Sequence, residues 1–96
     1  MFTEKKIEEL KAKHGEIFAI EIEDKSCLFR KPTRKDISFA QASATNNNIY
    51  KMQEVLYENC WLEGDPEFKE NVDYFLPALD QFSKIIETKT AELKKL

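Results

Sequence analysis

Between residues 16 and 23 apolar and polar residues alternate: Phe18, Ile20 and Ile22 fall on one side, with Ala19, Glu21 and Glu23 on the other. That period of two predicts a strand with one buried and one wet face. Asp24-Lys25-Ser26 reads as a turn, and Ser26 to Lys31, carrying Cys27, Leu28 and Phe29, reads as a second strand. Their closeness in sequence predicts an antiparallel hairpin over 16–31. A lone hairpin is marginal in water, so helices must cover its apolar face.

The remaining segments have helical periods. Thr3 to His14 places Ile7, Leu10 and His14 on one narrow face, with Thr3 as cap and Gly15 as stop. This first helix, within 1–15, is expected to pack loosely or to move. Pro32 ends the second strand. Thr33 and Asp36 then have the spacing of a capping box for a helix through Ile37, Ala40, Gln41 and Ala44. Asn46-Asn47-Asn48 predicts a break. Ile49 to Leu62 predicts a helix on Ile49, Met52, Leu56 and Cys60, widened by Val55. Glu63-Gly64-Asp65-Pro66 stops it, with Asp65 and Pro66 suited to start a short helical turn.

A last helix, capped by Asp73 and running to about Lys94, would align Phe75, Leu79, Phe82, Ile86 and Leu93, with Pro77 in or near its first turn. Lys94-Lys95 would then complement the dipole at its end. The expected fold is α+β, in one domain over 1–96: an N-terminal helix, a two-stranded antiparallel hairpin, then a bundle of three to four helices over 33–96.

Composition narrows the function. The 96 residues suit one domain, and a net charge of −3 opposes general nucleic-acid binding, which needs a basic contact face. No apolar run approaches the ~20 residues that span a bilayer, and Met1 to Leu10 lacks a signal-peptide core. A cytoplasmic location is therefore expected. Cys27 and Cys60, the only cysteines, read as reduced, buried thiols.

Chemistry is scarce in the chain. Two glycines cannot form a phosphate loop, and His14 has no motif partner for catalysis or for zinc. Glu8-Glu9, Glu21, Glu23 and Asp24 read as solvated faces. Neither a catalytic residue, a metal ligand nor a cofactor is assigned. The sharpest local feature is the basic cluster Arg30, Lys31, Arg34 and Lys35, suited to a phosphate or an acidic partner; its plain alternative is a solvated strand end and helix start. Trp61 and Tyr57 read either as core or as anchors for a partner protein, because Trp and Tyr dominate interface energetics.

The segment Cys27-Leu28-Phe29-Arg30-Lys31-Pro32-Thr33-Arg34-Lys35-Asp36 resembles the apolar strand, basic-x-Pro-Thr-x-x-Asp and helix join of small phage and prophage tail assembly chaperones. Val55 to Leu62 followed by Gly64-Asp65 is similar to the helical part of such proteins. The resemblance covers about residues 16–96 and leaves the first helix unmatched. It implies a non-catalytic protein that binds tape-measure and tail-tube proteins during tail assembly, shielding apolar helices that would otherwise aggregate. The family supplies no catalytic residues. Candidate partner-binding residues from the residue reading are Arg30, Arg34, Lys35, Tyr57 and Trp61; self-association stays open. The alternative is a small nucleic-acid-binding or regulatory protein using the basic cluster.

Overall fold

A computed structural model describes residues 2–44, 48–86 and 91–96. The elements run α1 (Glu4–His14), β1 (Ile17–Ile22), β2 (Lys25–Arg30), α2 (Arg34–Ser43), α3 (Ile49–Cys60), β3 (Trp61–Gly64), α4 (Glu67–Glu70) and α5 (Val72–Ile86). The fold is α+β, as expected: an N-terminal helix, an antiparallel hairpin, then helices.

Thr3 and Gly15 bound α1 as its sequence requires. The Thr3 side chain accepts from the Lys6 N–H, and the Gly15 N–H donates to the Lys11 carbonyl with φ at 83°. The hairpin is tighter than the sequence implies, since Ile22 pairs with Lys25 and only Glu23 and Asp24 form the loop. Glu23 takes φ of 58°, the positive value that two-residue hairpin loops demand at their first position.

The sheet has three strands in the order β1-β2-β3, one more than the sequence reading gave. Helix α3 stops at Cys60, and Trp61–Gly64 turns into an extended edge strand antiparallel to β2. The expected helical continuation to Leu62 loses because β2 offers unpaired main-chain groups, and a buried backbone must find partners. Gly64 is required at the close approach. It lies opposite Cys27, and a side chain there would run into the Cys27 Cβ and come within 2.9 Å of the Ser26 carbonyl.

Cross-strand pairing puts Phe18, Ile20, Cys27 and Phe29 on one face of the sheet, where they join the core with Ala40, Leu56, Tyr57, Cys60, Phe68, Ala78, Leu79, Phe82 and Ile85. Helices α3 and α5 cover that face. Leu28 is buried yet stands outside this cluster, because it points to the opposite face. Helix α1 lies on that side: it contacts β1, and Lys6 pairs with Glu63 of β3 at 3.4 Å, beside Leu28 in the register. The sheet is therefore a middle layer between α1 and the other helices. Ile7, Leu10 and His14 are only half-buried, as expected of the narrow stripe on α1.

Three expectations for the last helix need correction. Its first turn is capped by Asn71, whose side-chain oxygen accepts from the Asp73 N–H at 3.0 Å, and not by Asp73. Pro77 is the sixth helical residue, past the first turn, so its missing donor interrupts the internal ladder. The described helix ends at Ile86; residues 87–90 lie outside the described residues, and 91–96 are not helical. Leu93 is thus fully exposed, and Lys94-Lys95 caps no helix. The break at Asn46-Asn47 also lies outside the described residues, whereas Asn48 caps α3 by accepting from the Lys51 N–H.

Candidate protein-binding surface

The basic cluster at the β2–α2 join divides into two parts. Arg30, at the end of β2, donates both guanidinium arms to Asp36, at 2.6 and 3.1 Å. One of those nitrogens also donates to the Asn59 carbonyl near the end of α3, at 3.0 Å. Asp36 meanwhile accepts from the Thr33 N–H at 2.7 Å and from its hydroxyl at 2.9 Å, and Thr33 accepts from the Asp36 N–H to complete the capping box. One half-buried ion pair thereby ties a strand end, a helix start and a helix end together. The Arg30 hydrogen bonds hold the Asp36 carboxyl well below the usual carboxylate range, and Asp36 in turn raises the Arg30 guanidinium. Lys31 pairs with Glu16 at 3.5 Å. Arg34 and Lys35 remain exposed, without an ion-pair partner among the described residues.

The two aromatic candidates are structural. Tyr57 is fully buried, with its hydroxyl donating to the Phe68 carbonyl at 2.8 Å and its ring packed on Phe29, Phe75 and Phe82. It offers no surface to a partner. Trp61 sits on β3, half-buried, edge-on to Phe29 at 5.6 Å and with the Lys69 ammonium 4.7 Å from its ring centre. The Trp61 ring thus closes the end of the aromatic core. Of the five candidates the structure brings Arg30, Tyr57 and Trp61 into the scaffold and leaves Arg34 and Lys35 on the surface.

Cys27 and Cys60 are free and buried. Burial pushes the Cys27 thiol up to about 12 and the Cys60 thiol to about 11, so neither is a nucleophile near neutral pH. Among the described residues no group of three or more His, Cys, Asp or Glu side chains is placed to hold a metal ion, and no helix is long and apolar enough to cross a membrane.

The surface that the sequence reading missed lies between the end of α2 and the start of α3. Gln41, Ala44, Asn48, Ile49 and Met52 line an open groove of about 350 Å³. Ile49 is 66% exposed, and Phe39 and Tyr50 on the same two helices are 57% and 47% exposed. The signal was present for Phe39: the inward stripe Ile37, Ala40, Ala44 leaves it more than a third of a turn from the axis of burial. Ile49 gave the opposite signal, because it continues the Met52–Leu56 stripe one turn beyond the point where the core ends.

Comparisons with models of protein families, with curated proteins and with solved structures found no match for this chain. The class that fold and surface define is a small α+β protein with a three-stranded sheet between helical layers and an open groove of mixed polarity, with Ile49 exposed beside it, on its α2–α3 pair.

Proposed function

We propose that the protein is a non-catalytic assembly chaperone of the phage or prophage tail type, acting in the host cytoplasm. It holds apolar helical segments of a tape-measure or tail-tube protein until the tail assembles. The observation that carries this reading is the groove beside Ile49, where the apolar side chains of Ala44, Ile49 and Met52 stand with Gln41 and Asn48 between two helices, an arrangement that suits an amphipathic partner helix. The residue-level likeness at the β2–α2 join supports the same reading. Arg34 and Lys35 are exposed on α2, one to two turns before Phe39.

The test is co-expression with a long helical tape-measure protein, followed by co-purification. The wild-type chain should keep that protein soluble and leave with it as a complex. Ile49→Glu and Phe39→Glu should fold normally and lose the complex by tenfold or more in yield. A partner whose solubility is the same with and without the chain would overturn the proposal.

The nucleic-acid alternative has less support. Two of its four cations, Arg30 and Lys31, are paired with Asp36 and Glu16. Binding through Arg34 and Lys35 alone would show a log-log salt slope of only about −2.

A further inference from the structure

We infer that the open edge of β1 is a second docking site, which takes a basic, extended segment of a partner protein as a fourth strand. The direction of each main-chain group follows from the register. The Ser26 carbonyl accepts from the Asp65 N–H at 3.2 Å, so Ser26 faces β3. Alternation then turns Cys27 and Phe29 toward β1, where they meet Ile20 and Phe18. Ile17, Ala19 and Glu21 consequently direct their N–H and C=O groups outward. Among the described residues none of these groups bonds to another element's main chain.

This edge is also the floor of a groove. Ala19 and Glu21 line it on one side and Pro77, Asp80 and Gln81 of α5 on the other, with a volume of about 370 Å³. Unpaired strand edges recruit further strands unless something blocks them. Among the described residues no strand pairs with this edge: Ala19 is small and exposed, and β1 contains no proline.

Charge selects the occupant. Glu21 and Asp80 are the ionisable groups of the groove, and neither has an ion-pair partner among the described residues. Glu23 and Asp24 extend the acidic line at the hairpin tip. A second copy would bring the same acidic edge and be repelled, whereas lysines or arginines on an extended segment would be attracted. This edge is separate from the α2–α3 groove, and its occupation goes beyond the proposed chaperone activity.

The probe is a nonapeptide of alternating valine and threonine with lysine at its ends and centre, followed by fluorescence anisotropy and by amide shifts of the isotope-labelled chain. Binding should perturb the Ile17, Ala19 and Glu21 amides. A peptide with glutamate in place of lysine should bind at least tenfold more weakly. Glu21→Lys and Asp80→Lys should each weaken the lysine peptide about two- to fivefold. Ala19→Pro, which removes an outward donor that β2 does not use, should abolish most binding. If that variant does not fold, the two charge variants and the amide map still decide. Ile49→Glu should leave this binding unchanged, which separates it from the chaperone proposal. Equal binding of both peptides, shifts confined to other elements, or a concentration-dependent dimer of the chain without peptide would each overturn the inference.

Discussion

Removing the Asp36 carboxylate should be among the costlier single changes at a partly exposed position. Asp36→Ala deletes two charge-assisted hydrogen bonds from Arg30 and two from Thr33. The side chains of Arg30 and Asp36 are only 20% and 14% exposed, so water replaces these bonds incompletely. The ion pair is worth about 2 kcal/mol, as hydrogen bonds to charged groups are, and the helix cap adds about 1 kcal/mol. The sum, about 3 kcal/mol, is a large share of the roughly 5–10 kcal/mol available to a domain of this size. It corresponds to a fall in Tm of roughly 12–24 °C.

Trp61 is the only tryptophan, and it packs on Phe29 and Tyr57, so its fluorescence reports urea unfolding of the core directly. Arg30→Met should lose slightly less than Asp36→Ala, and the double variant should show a coupling of about 1.5–2 kcal/mol. The pH dependence has a fixed sign. The folded carboxyl is held below its ordinary value of 3.8, so its contribution is complete above that value and is lost as pH falls through the folded one. The gap between wild type and Asp36→Ala should therefore be constant from about pH 7 to pH 5 and narrow below about pH 4. A loss under 1 kcal/mol at pH 7, or additive single variants, would refute the view that this pair ties three elements together.

Gly64→Ala should lower stability by about 2–3 kcal/mol in the same urea assay, because the new methyl meets Cys27 and the Ser26 carbonyl where β2 and β3 press together. Gly15→Ala meets open space but forces a side chain into φ 83°, ψ −133°, a region outside the left-handed helical well, and should cost about 1–3 kcal/mol from backbone strain alone. Tyr57→Phe keeps the ring packing but strands the Phe68 carbonyl, and calorimetry should record a loss of about 1–2 kcal/mol. Both thiols should resist a thiol-specific disulfide reagent at pH 8 and react together once urea unfolds the chain; rapid labelling of the folded protein would contradict their burial.

Local signals in the sequence specify much of this fold. The alternation of Phe18, Ile20 and Ile22, the caps at Thr3 and Thr33, and the stop at Gly15 are short-range features, and each stands where the sequence puts it. Strand β3 is another matter. Cys60, Trp61 and Leu62 continue the apolar run of α3, and four residues hold too few periods to tell strand from helix. Only the unpaired side of β2, more than thirty residues earlier, decides it. The surroundings of Arg30 and Tyr57 were not legible for a related reason. Arg30 belongs by composition to a basic run, but by geometry to Asp36 and Asn59. Tyr57 had either a core or an interface role open to it. The Phe68 carbonyl, eleven residues on, settles it as core.

The same division between scaffold and surface determines what mutagenesis can establish here. Phe29 packs on Tyr57 and Phe82, and Tyr57 on Phe75 and Phe82, in tilted and edge-on contacts with centroids 4.8–5.7 Å apart, and truncating any of these rings to alanine would open the core before it tested a partner. Phe39, Ile49 and Tyr50 belong to none of these contacts and stand outside the core cluster. Placing a charge on them removes exposed apolar area, which costs the folded state little and can raise its solubility. A binding defect from Ile49→Glu therefore cannot be traced to lost stability, whereas one from Trp61→Ala could. If the chain acts through its α2–α3 groove, the polar variants should be at least as well folded as the wild type and still fail to hold the partner.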